Sequence, residues 1–218
     1  MQVLEFKHVL WYISCRIMFT GVAVVNSTEP GSFCSETKEC LLYDLICQGN
    51  EYEVRQCVGC FISYVFVFCF FLRSAIMRLL SLNYIRGENE AFVNIDMTTP
   101  VIIKVEREFS KFNKSIYVVN FPLHLAYQKH APKPIDSLQD SGMPVFLDDL
   151  PDMRVYVEQY GGWMVSATSS IQAYFLKDAL NCVQATYHKD YHYYTILTNR
   201  HNEVWYVVHG TPVCAASG

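Results

Sequence analysis

The chain has 218 residues, a formal net charge of −4 at pH 7 and 51% hydrophobic content. That length holds one domain with a substantial core and is short for two. The acidic balance leaves no basic footprint for tracking phosphates, so nucleic acid is not an expected partner, and the 15% aromatic content suits a β-rich core or an apolar cleft.

Residues 1–25 read as a signal peptide: Lys7 and His8 precede an apolar run, broken by Arg16, that ends in small residues around Gly21 and Ala23. Glycosylation sequons at Asn26 and Asn113 point the same way, toward a secreted, extracellular protein. Of nine cysteines, Cys15 would leave with the signal and eight would remain. In an oxidising compartment Cys34, Cys40 and Cys47 near one end and Cys214 near the other are natural disulfide partners, although connectivity is not readable from sequence. Residues 26–50 form a cysteine-bearing leader, in which 40–47 is a short helix or the entry to a strand.

From 51 to 214 the chain reads as one domain. A first strand is expected at 52–55. Residues 57–72, CVGCFISYVFVFCFFL, are almost without polarity. Three readings compete: a transmembrane helix, for which sixteen residues are few; a buried strand, which Val, Phe, Tyr and Ile favour; or a stretch of unspliced or alternative transcript. A strand followed by a helix is the expectation for a folded chain. Within this segment Cys57 and Cys60 form a Cys-x-x-Cys, but no second pair at zinc-finger spacing and no βαβ frame accompanies it.

Helical spacing of Ile76, Leu80 and Tyr84 follows, and Gly87 marks the stop. Strands are expected at 93–105, 115–122, 145–148 and 153–160, with a solvent-facing loop at 124–142. A second helix is expected near Ser169, with Ser169 and Gln172 at capping-box spacing and Ile171, Phe175, Ala179 and Val183 as its buried stripe. Strands at 188–197 and 203–208 close the chain, the last with Val204, Tyr206 and Val208 on one face. The order of elements suggests an internal repeat, without visible sequence similarity between its halves.

Several blocks carry a resemblance. Residues 84–90 hold a YI-x-G-x-NE turn, 97–101 an M-T-x-P-V strand, and 200–205 an R-x-NEVW strand. Residues 52–55 read YEVR, and 155–157 with Gly161, Gly162 and Trp163 add to the set. Over roughly residues 40–214 the chain resembles the SOUL haem-binding protein family, departing from it between Gln56 and about Ser74. The resemblance implies an α+β fold: a distorted antiparallel β-barrel of two similar halves, each with one long packed helix.

It also implies haem or another porphyrin as a bound ligand, held in a shallow apolar groove beside the first helix. On this chain Ile76, Met77, Leu80 and Tyr84 would form the slot, and Arg73, Arg78 and Arg86 the rim near the propionates. His201, beside Arg200 in the final turn, is a candidate for the haem edge. Some family members carry a proposed axial histidine directly after YEVR; here that position is Gln56, a poor iron ligand, and Cys57 beside it would ligate only if reduced and exposed. A G-Y-x-x-P loop usual before the terminal strand is also shortened. His188 and His192, separated by Asp190, would share one face of a strand and could bind a divalent metal, but exposed strand histidines among tyrosines are the commoner case and no metal site is expected.

No catalytic constellation is present at a defensible spacing, so enzyme activity is not expected. The leading expectation is a secreted, reversible carrier or scavenger of tetrapyrrole. The alternative is a non-enzymatic interaction module whose groove takes an amphipathic partner helix without haem, and a third reading is membrane attachment through 57–72.

Overall fold

The computed structural model describes residues 39–68, 82–107, 115–139, 144–162, 166–196 and 201–214. Nine strands form one antiparallel sheet: β1 (Tyr43–Gln48), β2 (Glu53–Cys57), β3 (Cys60–Phe68), β4 (Val101–Arg107), β5 (Ser115–Pro122), β6 (Val145–Leu150), β7 (Met153–Gly161), β8 (Tyr191–Ile196) and β9 (His201–Val207). Two helices are described in full, a single turn α1 (Asp136–Gln139) and the 17-residue α2 (Ser166–Cys182). Residues 82–85 are also helical.

The order across the sheet is β1-β2-β7-β9-β8-β4-β5-β3-β6. Leaving β1 aside, it is symmetric about the β8–β4 seam: β2, β7, β9 and β8 on one side answer to β6, β3, β5 and β4 on the other. Each half is thus two strands, a helix and a β-hairpin, which is the internal repeat expected from the element order. The first strand of each half pairs with the second strand of the other, β2 with β7 and β6 with β3.

Only Val58 and Gly59 separate β2 from β3, and only Pro151 and Asp152 separate β6 from β7. Cys57 lies opposite Met153 and Cys60 opposite Leu150, so these pairs are two ends of one ladder. The sheet therefore curls back on itself as a distorted barrel. At the crossing a Cβ on Gly59 would collide with the Leu150 carbonyl oxygen, so the backbones approach as only glycine permits. The Gly59 amide donates to Asp152 Oδ1 at 2.6 Å.

Alternation along the strands sorts the apolar residues into three groups. The concave face gathers Cys57, Ile62, Ile102, Leu150, Val155, Tyr193 and Trp205 from both halves. The outer face of the second half holds Val54, Tyr156, Tyr160, Tyr194, Val204 and Tyr206 against α2. That of the first half holds Val119, Phe121 and Val145 against Tyr84, Ile85 and Ile95.

The structure resolves some expectations and corrects others. The segment 40–47 resolves as a strand entry: β1 is an edge strand on β2, so the second half of the expected leader belongs to the sheet. The strand expected at 93–105 starts only at Val101. β9 is buried on both faces, because Glu203 and Trp205 point into the concave side while Val204, Tyr206 and Val208 face α2. The stripe of α2 is rotated: Ser169, Ala173, Leu176 and Leu180 are buried, whereas Ile171 and Phe175 are 51% and 53% exposed. Tyrosines project from the sheet beneath the helix, and they leave room for Ser and Ala where the expected stripe would place Ile and Phe. Nor does Ser169 cap the helix, which already starts at Ser166; its hydroxyl is buried against Tyr160 Oη at 2.9 Å.

Residues 60–68 are a strand paired on both sides, from Ile62 opposite Pro122 to Phe68 opposite Ile116 on β5, and along β6. Among the described residues no helix is long and apolar enough to cross a membrane.

Candidate functional site

Of the groove residues expected on the first helix, Arg73, Ile76, Met77, Arg78 and Leu80 lie outside the described residues, as does Arg200. The helix end itself is well defined. Glu88 N donates to Asn83 O and Gly87 N to Tyr84 O, with Gly87 at φ 111°, which is the Schellman pattern of helix termination. Asn89 is fully buried; its Nδ2 donates to the carbonyls of Tyr84 and Val93, and its Oδ1 accepts from Val93 N.

Tyr84 is fully buried, with Oη donating to Pro132 O at 2.8 Å. The YI-x-G-x-NE block is thus a device for stopping the helix and seating its end on the outer face of the first half. Arg86, expected at the rim, is exposed and pairs in an isolated bridge with Asn94. His201 opens β9 opposite Gly161.

The YEVR and R-x-NEVW blocks meet on the concave face. Arg55 of YEVR, only 1% exposed, places Nη1 3.0 Å from Glu203 Oε1 of NEVW, and its Nε donates to Glu53 Oε2 at 2.8 Å. Glu203 Oε2 accepts from Trp205 Nε1 at 2.7 Å, and the Tyr43 ring lies 4.2 Å from the guanidinium. Burial works to lower the Arg55 pKa, but Glu203 and Glu53 outweigh it and hold the group above its ordinary value. This pair joins residues 148 apart in sequence. Sequence reasoning quoted both residues as parts of blocks and missed that they are partners. A small cavity of about 20 Å³ adjoins them, lined by Cys40, Leu41, Tyr43, Cys57, Pro100 and Trp205.

Gln56 is half-buried and its side-chain amide turns back on the Cys57 carbonyl. Cys57 is a free thiol but 2% exposed, and burial pushes its pKa up to about 12. It is reduced, but it lacks the exposure and the thiolate that ligation requires. Cys60 is also free, with its pKa raised by burial to about 12. Because 57–60 runs extended along 153–150, the two Cα atoms are roughly 10 Å apart at about 3.3 Å per residue, beyond the reach of a disulfide.

Cys47 and Cys214 do form a disulfide, with Cα atoms 5.9 Å apart, so two of the four candidate cysteines pair with each other. Cys40 is disulfide-bonded as well, and so is Cys182, which the sequence reading had not put forward. Cys34, Asn26 and Asn113 lie outside the described residues.

The histidines divide differently from expectation. His192 packs among Tyr194 and Tyr206 beneath α2, while His188 lies against Tyr191 and His209. Among the described residues no group of three or more His, Cys, Asp or Glu could hold a metal.

Comparison with known proteins adds the lineage. The model of a family described as SOUL heme-binding protein matches residues 38–207. Heme-binding protein 2 of Homo sapiens is 28% identical over 137 residues, 60% of this chain and 63% of that protein. Heme-binding protein 2 of Mus musculus is 27% identical over 136 residues, 59% and 63% respectively. The matched stretch thus spans less than two thirds of the length of these curated relatives. Among solved structures, the EcmrR C-terminal domain superposes with a TM-score of 0.50 at 7% identity, over 74% of this chain and 98% of that one. EcmrR in an EcmrR–DNA complex gives 0.51 at 8%, over 74% and 58%. At such identities the likeness is one of fold alone.

Proposed function

Because the chain belongs to the SOUL heme-binding protein family, we propose that it binds haem or a related porphyrin reversibly, as a non-catalytic carrier or scavenger, in an apolar groove beside the first helix. The observation that carries this reading is the seat of the helix end. Tyr84 and Ile85 are held over Val119, Phe121 and Val145 by a rigid turn, and together they make an apolar patch of the kind the flat side of a tetrapyrrole requires.

In this reading Ile76, Met77 and Leu80 line the slot, Tyr84 supports it from beneath, and Arg73, Arg78 and Arg86 meet the propionates, with Arg200 and His201 near one edge. The position of the family's axial histidine does not fit iron. Gln56 offers an amide, and the Cys57 thiol is buried and protonated. The residues present fit a porphyrin held by its face and its carboxylates, without an iron ligand from 56 or 57. Secretion belongs to the same proposal and is supported by the Cys47–Cys214 disulfide together with bonded Cys40 and Cys182.

One observation favours a second reading. Ile171, Tyr174 and Phe175 are all more than half exposed on α2 at helical spacing, which is the pattern of a surface that docks an amphipathic partner helix. Haemin titration of the secreted chain, followed by the Soret band and tryptophan quenching, decides between them. Saturable one-to-one binding, weakened in Arg73→Ala and Arg78→Ala, is expected. No binding by a folded sample would sink the carrier reading and leave the interaction module.

A further inference from the structure

We propose that His188 and His209 form a two-histidine chelate for a divalent transition-metal ion of the zinc, copper(II) or nickel class. The two rings lie on the surface of the second half, with His209 exposed and His188 half-buried. Their centroids are 5.5 Å apart with planes at 84°. Two imidazoles on one tetrahedral ion, each bound at about 2.0–2.1 Å, have centroids about 5 Å apart. The observed separation needs only a small rotation of either ring.

Both backbones are fixed, so little ordering remains for an ion to impose. Tyr187 and Val208 form an isolated antiparallel bridge. Around it His188 N donates to Val207 O at 2.9 Å and His209 N to Thr186 O at 3.0 Å. Thr186 Oγ1 donates to the His209 carbonyl, and Gly210, at φ 79°, turns the chain immediately after. The two histidines therefore sit diagonally on the same face of a two-strand ladder. On its other side the His188 ring stacks on Tyr191, with centroids 5.2 Å apart and planes within 25°, which limits its rotation.

Neutral imidazole is the favoured donor for zinc, copper(II) and nickel, whereas calcium and magnesium demand oxygen ligands. With no third protein ligand converging among the described residues, water would complete the shell, giving an open, exchangeable site. The pair is not the one the sequence suggests. His188 and His192 are close in number, but His192 turns beneath α2 while His188 meets a residue 21 positions further on.

The test is calorimetric titration of the disulfide-bonded chain with zinc chloride and, separately, nickel chloride. One ion per chain is expected. Loss even of a group that merely orients a metal ligand costs on the order of 10–100-fold in affinity, so His188→Ala and His209→Ala should each weaken binding by at least that much. His192→Ala should leave it unchanged. Zinc should also raise the melting temperature of the wild type by mass action and fail to raise that of His209→Ala, whose exposed side chain can be removed without disturbing the core. Stoichiometric binding that survives both substitutions, binding that vanishes in His192→Ala, or no binding by the folded wild type would each overturn the assignment.

Discussion

The two outer faces of the sheet are related by the internal symmetry yet hold their helices by different physics. Beneath α2 lies a layer of tyrosines whose hydroxyls reach specific atoms. Tyr160 meets Ser169 Oγ, Tyr206 donates to Ala173 O at 3.2 Å, and Tyr187 to Asn181 Oδ1 at 3.0 Å. Tyr52 and Tyr156 bind the carbonyl and amide of Val213, next to the Cys47–Cys214 disulfide. On the first half the corresponding layer is Val119, Phe121 and Val145 with Ile85, Ile95 and Leu123, and Tyr84 is the one fully buried hydroxyl among the described residues of that group. Directional bonds fix one helix in a single rotation. Apolar contact, which has no direction, imposes no such rotation on what packs against the other face.

The largest expected effect separates the two stripes of α2. Leu180→Ala, at a fully buried position, should cost about 2–5 kcal/mol in chemical denaturation, whereas Phe175→Ala should stay within about 0.5 kcal/mol. A larger cost for Phe175→Ala than for Leu180→Ala would mean that the helix sits in the rotation the sequence suggests. Removing single hydroxyls probes the latches next. Tyr206→Phe and Tyr160→Phe should each lose about 0.5–1.5 kcal/mol, and the pair should speed the exchange of α2 amides with solvent while leaving haemin affinity unchanged if the latches act only as restraints. Freed latches let α2 open more readily, so faster exchange confined to α2 supports the comparison and unchanged exchange breaks it.

The smallest effect is electrostatic. Burial, with Glu51 adding repulsion, raises Glu158 from 4.5 to about 7. A carboxyl whose folded pKa lies above its unfolded value binds the proton better in the folded state. Stability should therefore fall as pH rises from about 4.5 to about 7, and Glu158→Gln should flatten that part of the profile. Denaturation midpoints measured across this range check the sign; a wild-type profile rising through it because of this residue would contradict the assignment.

Much of the sheet was legible because its signals are local. Residues 115–122 alternate between turn-forming neighbours and emerge as β5 with the same limits. The helix stop at Gly87 was equally plain, since a positive φ asks for glycine there. What escaped depends on partners distant in sequence. The α2 stripe was misplaced because the bulk opposite a helix is set by the tyrosines of β7, β8 and β9, which helical spacing alone does not contain. Arg55 and Glu203 were visible only as letters in two blocks, because their meeting depends on the alignment of β2, β7 and β9. At the candidate site, the family blocks turned out to build turns and buried pairs, so they report the fold more directly than the ligand.

The crossing at Gly59 also sets the order of events in folding. Residues 57 and 153 must meet before the half built on β7, β8 and β9 has its full complement of strands, because that half borrows β2 from the start of the chain. A chain emerging from the ribosome can make the β4–β5 hairpin early, but it waits for β7 before the ladder through the crossing can close. Such long-range closure is slow compared with hairpin formation. Synthesis past residue 161 is thus the step that lets β2 pair with β7 and ties the start of the chain to its second half.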